Sequence, residues 1–412
     1  MRLNSILLLI LISCFWAQFA AAASEQNKHP HQLQLKEEAL LVDTLNHIRD
    51  RHMDAALDSI ETLVELNPNF RLAQLVYGDL LLAKSQPIDE FGNLSVKARG
   101  RIDELRDEAR TRLRSHLSQP QQGTLPANLL RLSSDQKRVI VVDLEMSRLY
   151  LFENINGTPR LLLNFYASIG KNGTAKEVEG DLKTPVGVYF VSKHIPGKQL
   201  PDLYGAGAFP IDYPNPWDRR LGHTGHGIWI HGVPSNTYSR APRSSEGCVA
   251  LANADFESLI PLIDIGKTPV ILAKKVNWQT PSIIDQQRKS LEQSIEKWRQ
   301  DWESLNISQY ASNYSKSFKT ERRNYNSWVA RKETINNTKT HIQIGLSDIS
   351  IFSDPGEEGL VAVRFTQNYN SSNYNGAADK RQYWKYEEDG VWRIIYEGAT
   401  TISASSSVAR NR

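Results

Sequence analysis

Sulfur is scarce in this chain. Its 412 residues include two cysteines and three methionines. The cysteines are Cys14 and Cys248, and if the first leaves with a leader peptide, the second has no partner for an internal disulfide. A lone thiol in an oxidising compartment points to chemistry rather than to cross-linking. Charge of one sign is missing as well. A net charge of +3 is small for this length and makes no case for nucleic acid as a partner. It tolerates an anionic polymer such as a cell wall without demanding one. After the N-terminus no apolar stretch approaches membrane length, so a soluble mature chain is expected. The length itself exceeds one ordinary core and predicts two to four domains.

The N-terminus follows the plan of a secretory signal. Arg2 supplies a positive charge, an apolar stretch runs from Ile6 to Ile12, and small residues follow at Ala20-Ala21-Ala22-Ala23. Cleavage near Ala23 makes residues 1–23 a signal peptide. Leu11-Ile12-Ser13-Cys14 also resembles a bacterial lipobox, which would leave Cys14 lipidated as an anchor.

Three regions follow. Residues 34–118 read as helical. Ala56, Leu57, Ile60, Leu63 and Val64 recur at three and four, Asn67-Pro68-Asn69 breaks the pattern, and Leu72, Leu75, Val76, Leu80 and Leu81 begin a second stripe. The pair resembles one tetratricopeptide repeat, with Gly78 at a close contact; a helical cap on the next domain is the plainer reading. The mixed charge from Lys97 to Arg114 reads as a solvated helix. Gln119 to Pro126 and Lys274 to Pro281 read as linkers. Between them, residues 138–273 hold short strands punctuated by glycine, such as Val139-Ile140-Val141-Val142 and Leu149-Tyr150-Leu151-Phe152, and predict a mainly-β domain. Residues 285–398 carry a long helix with Ile295, Trp298, Trp302 and Leu305 on one face. Tyr310, Tyr314 and Phe318 continue on a following helix, and a run of strands completes an α+β plan. This last region resembles the NTF2-like cone, and its aromatic stripe reads as core.

The chemistry concentrates in the β domain. His231 of Ile230-His231-Gly232 precedes Cys248 of Ser245-Glu246-Gly247-Cys248 by seventeen positions. An imidazole can take the thiol proton and return it to a leaving amine. Gly247 admits a substrate carbonyl, amides around Gly247 and Cys248 offer an oxyanion hole, and Ser245 can bond the turn or the substrate. A backbone carbonyl near Gly232 suffices to orient the ring. His223 is a candidate substrate contact. His223, His226 and His231 together invite a zinc reading, but strand alternation sends His226 and His231 to opposite faces, so neither metal nor cofactor is expected.

At these residues the chain resembles the L,D-transpeptidase catalytic (YkuD-like) family. Gly170-Lys171, Gly180-Asp181 and Lys183-Thr184-Pro185-Val186-Gly187-Val188-Tyr189 match its central signature, and Ile230-His231-Gly232 with Ser245-x-Gly247-Cys248 match its catalytic one. The resemblance implies a periplasmic transpeptidase in cell wall biogenesis or remodelling. Cys248 would attack the carbonyl between an L- and a D-centre of a peptidoglycan stem peptide and release D-alanine. The acyl group would then pass to another stem peptide, a lipoprotein lysine or water. Many members read SHGCIR, whereas here Glu246 and Ala250 stand at the His and Arg places. Loss of that cation leaves the acceptor open. The alternatives are a hydrolase of stem peptides or of the wall–lipoprotein link, and a non-catalytic wall-binding scaffold. Arg240 and Arg243 could restore the charge, although exposed loop arginines are usually only solvated.

Overall fold

Apolar residues three and four apart build the first part of the chain. In the computed structural model, which describes residues 29–87, Gly92 and 99–400, they form helices α1 (His29–Arg49), α2 (Met53–Leu66) and α3 (Arg71–Ala83), followed by α4 (Arg99–Leu117). The expected leader at 1–23 and Cys14 lie outside the described residues. Ala56, Ile60 and Leu63 of α2 meet Leu72, Ala73, Val76 and Leu80 of α3 in one cluster, with Leu41 of α1 added. Two details differ from expectation. A side chain at Gly78 would meet nothing within 4 Å among the described residues, so no close contact there explains that glycine. Helix α4 is not wholly solvated either, because Glu108 and Arg112 are buried.

Both segments that read as linkers carry structure. Leu125–Pro126 (β1) pairs antiparallel with Trp278–Gln279 (β14), so the two connections brace each other. Leu129–Arg131 (β2) then pairs with a strand of the C-terminal region, Ile342–Ser353 (β15).

The middle domain is mainly β. Its larger sheet holds β3 (Arg138–Asp143), β4 (Arg148–Ile155), β5 (Thr158–Tyr166), β7 (Gly187–Phe190) and β13 (Pro269–Ala273), in the order β5-β4-β3-β13-β7. The β4–β5 hairpin turns at Asn156-Gly157, both at positive φ. Side chains along β3 alternate between two cores: Ile140 and Val142 on one side, Val139 and Val141 on the other. Because both faces are covered, the strand reads as a continuous apolar run. The smaller pieces are β6 (Ile169–Gly170) paired with β11 (Arg243–Ser245), and a sheet ordered β12-β10-β9-β8. Its strands are Ile195–Pro196 (β8), Gly207–Pro210 (β9), Trp229–His231 (β10) and Val249–Ala250 (β12). Helices α5 (Pro216–Leu221) and α6 (Asn253–Leu259) complete the domain.

In the C-terminal region α7 (Pro281–Glu303), α8 (Ile307–Ser312) and α9 (Tyr325–Asn336) lie against β15, β16 (Leu360–Ser371), β17 (Tyr374–Tyr386) and β18 (Trp392–Ala399). Tyr314 and Phe318 follow α8 in irregular chain rather than continuing the helix, yet both are buried. Val361, Val363 and Phe365 face Trp298 and Trp302 inside the cone. Leu360 and Ala362, one step out of phase, face Val139, Val141 and Phe190 of the middle domain. The two sheets therefore share a core across the domain boundary, and Arg381 pairs with Asp212 there at 2.7 Å. The architecture is a mainly-β domain flanked by a helical region and an NTF2-like α+β domain.

Candidate active site

Strand register brings the two motifs together. β10 and β12 run parallel with Ile230 opposite Val249 and His231 opposite Ala250. Ile230 and Val249 point into the domain core, as do Ile228 and Leu251. Alternation then sends His231 and Cys248 to the other face of adjacent strands. The Tyr204 ring lies on that face, 5.1 Å from the His231 ring and 4.9 Å from that of Trp229.

His231 is 2% exposed, and its Nδ1 lies 2.5 Å from the Gly232 carbonyl. That carbonyl needs an Nδ1–H donor, so Nε2 keeps its lone pair. Burial pushes the imidazole pKa down to about 4, with the nearby Arg240 charge adding to the effect against the Gly232 bond. The ring is a neutral base at neutral pH.

Cys248 is half-buried. Its Sγ–H donates to the Gly227 carbonyl at 3.4 Å, and Trp229 N–H donates to the sulfur. Burial pushes the thiol up to about 11 and Glu246 adds to that rise, while the Trp229 bond, Arg240 and Lys176 oppose it. The resting pair is thus thiol and imidazole, not thiolate and imidazolium.

The turn before the thiol is tightly specified. Gly247 has φ of 119°, and a Cβ there would stand 2.7 Å from the Lys183 carbonyl oxygen. Gly247 N–H donates to Ser245 Oγ at 3.2 Å, and Ser245 O–H donates to the Cys248 carbonyl at 2.6 Å. Ser245 therefore clamps the turn, and the Gly247 amide is committed to it. The segment beneath is fixed by Gly170 N–H donating to the buried Thr184 hydroxyl at 2.9 Å.

Other candidates fall elsewhere. Gly232 abuts Asn253, whose Oδ1 accepts from Ala206 N–H at 2.9 Å and Val233 N–H at 3.1 Å. Asn253 thereby holds the Tyr204 loop beside His231, and no local pattern in the sequence marked either residue. His223 Nδ1 lies 3.4 Å from Asp218 Oδ1, at the end of α5. Burial raises Asp218 to about 6. His226 is solvent-facing, 3.9 Å from Glu179. Among the described residues no three His, Cys, Asp or Glu side chains gather as a metal site. Arg240 differs from the solvated loop residue expected. It is half-buried, donates to the Ser244 carbonyl at 2.8 Å, and its charge reaches both Cys248 and His231. Arg243 is exposed.

Fold and site define a three-part protein whose middle β domain presents a thiol and an imidazole on neighbouring strands. The chain belongs to the L,D-transpeptidase catalytic domain (YkuD) family, whose model matches residues 137–272. A second model, the Cds6 C-terminal NTF2-like domain, matches residues 290–398. Among solved structures, Bd1075 of Bdellovibrio bacteriovorus is 32% identical with a TM-score of 0.60, over 68% of this chain and 100% of that one. Pgp2 of Campylobacter jejuni, described as a helical cell shape determining protein, is 27% identical with a TM-score of 0.57, over 66% of this chain and 95% of its own. A single-substitution mutant of Pgp2 aligns similarly, at 26% identity and a TM-score of 0.58, over 71% of this chain and 97% of that one. Comparison with curated proteins found no match. Among the described residues no helix is long and apolar enough to cross a membrane.

Proposed function

We propose that the protein is a periplasmic enzyme that cleaves L,D bonds of peptidoglycan stem peptides through a thioester on Cys248 and passes the acyl group to an amine. In this reading the regions 34–118, 138–273 and 285–398 are the three units of the chain, and the second carries the site. The observation that carries it is the neutral His231, tied at Nδ1 to Gly232, on the same sheet face as Cys248. The thiol proton passes to Nε2 as sulfur attacks the carbonyl carbon. The tetrahedral oxyanion takes the Cys248 amide, since the Gly247 amide is held by Ser245. Collapse expels the D-amino acid amine, which takes the proton from Nε2. An incoming amine then attacks the thioester, gives its proton to His231, and releases the thiol.

Water in place of the amine makes the same centre a hydrolase. Two observations favour this second reading: Ala250 stands where many members carry Arg, and Pgp2 is described as a cell shape determinant. Trimming stem peptides would serve such a role.

Incubation with purified disaccharide tetrapeptide separates these readings. Cross-linked dimers indicate transfer, and tripeptide monomers alone indicate hydrolysis. Cys248→Ala is expected to abolish either product while folding and wall binding persist. Unchanged product from that variant overturns the enzyme reading and leaves the wall-binding scaffold.

A further inference from the structure

Between the helical region and the middle domain runs a cleft of about 850 Å³, a size suited to a small peptide ligand. Arg71 and Gln74 of α3 and Arg101 of α4 line one wall; Lys171, Arg240 and Arg243 line the other. Arg71, Arg101, Lys171 and Arg243 are exposed, and none has a carboxylate partner among the described residues. Among the described residues two carboxylates also line the cleft. Glu108 is already satisfied by Arg112 at 2.9 Å, which leaves Glu104 against five cations. The placement is locally unfavourable. α3 and α4 each begin with arginine and have no acidic residue in the first turn, where the helix dipole favours anions over cations. Such an arrangement is relieved by a bound anion. The cleft adjoins the turn that carries the thiol, because Lys171 N–H donates to the Ser245 carbonyl at 2.8 Å and Ser244 lines it.

We propose that this cleft binds the acidic peptide portion of the substrate, with its carboxylates held by Arg71 and Arg101 of the helical region opposite Lys171 and Arg240. The helical region is then a specificity element rather than only a cap. The proposal rests on the stem-peptide reading above.

The test uses the full chain and two probes: a disaccharide tetrapeptide with free side-chain carboxylates, and the same molecule with those carboxylates amidated. Wild type is expected to prefer the free form and to lose that preference as salt rises. Arg71→Glu with Arg101→Glu should raise KM for the free form about tenfold or more, leave kcat unchanged and abolish the preference, at the scale of two charge-assisted contacts. Arg71→Lys with Arg101→Lys should keep most of the preference. Should the reversal disturb folding, as read by circular dichroism, the corresponding glutamine pair replaces it. Equal KM and an intact preference in the folded variant overturn the proposal. If wild type turns over neither probe, the stem-peptide chemistry fails instead, and calorimetry with Cys248→Ala decides the cleft. Binding that is lost on charge reversal sustains the proposal, and no binding ends it.

Discussion

In the proposed reaction a sulfur with a pKa near 11 and an imidazole with one near 4 would exchange a proton only as bonds form. This sets the acid limb of the reaction. His231 stays a base until pH falls to about 4, so kcat/KM should decline near that value and not near the 6.5 of an ordinary histidine. A pH–rate profile on the tetrapeptide measures it, and an acid limb near 6.5 speaks against His231 as the base. The same shift affects stability with a definite sign. Below about 6.5 the unfolded chain binds a proton that the folded chain refuses until about 4, so the stability contributed by this residue falls as pH drops through that window. Gly247 is the other residue with a sharp expectation. Gly247→Ala places a Cβ against Lys183 at a φ that L-residues avoid, which costs roughly 1–3 kcal/mol in backbone strain alone. Thermal unfolding should show the loss, and activity should fall with it because the clamp at Ser245 shifts.

Helix α4 is attached by charge. The Arg112 guanidinium bonds Glu108 and Glu38, lies 3.8 Å above the Tyr166 ring, and shares Glu38 with Arg148 of β4. Tyr238 and Ser239 of the middle domain reach back to Glu37 and Glu108. Arg112→Ala leaves the buried Glu108 without its cation while Glu38 keeps Arg148, and a cost of about 3–5 kcal/mol is expected. Limited proteolysis should then release the helical region first, while an unaltered cleavage pattern would count against this attachment. At the other boundary Asp354 sits close to Asp218, and burial raises it to about 7. A raised carboxyl pKa means that the folded chain holds a proton which the unfolded chain has lost, so this stability is present at low pH and disappears as pH rises through about 7. Asp354→Asn should therefore raise the melting temperature at pH 8 by roughly 2–4 °C, and the gain should shrink as pH falls toward the ordinary carboxyl value of 3.8. Its amide oxygen can still accept from Gly356 N–H.

Across the whole molecule, the middle domain does not own its core alone. Val139, Val141, Phe190 and Ile271 are covered by Phe352, Ala362, Tyr383 and Ile395 of the C-terminal domain. β2, which precedes the middle domain, is the edge strand of the C-terminal sheet. A chain ending near residue 280 should therefore expose an apolar sheet face and aggregate, with dye binding to exposed hydrophobic surface as the readout. A soluble, monomeric truncation would show that the shared core is dispensable.

Much of this protein was decided locally. The spacing of Ala56, Ile60 and Leu63 dictates a helix, alternation dictates the strands, and Ser245-x-Gly247-Cys248 with Ile230-His231-Gly232 marks the candidate site, because each depends on neighbours a few positions away. Tertiary structure decided the rest. Two stretches that looked like linkers became the paired strands β1 and β14. Arginines that looked solvated became a buried tie at 112 and a charge beside the thiol at 240. Tyr204 and Asn253 acquire meaning only where their loops meet. Burial and electrostatic environment depend on what arrives from distant parts of the chain, and no short window of sequence contains that information.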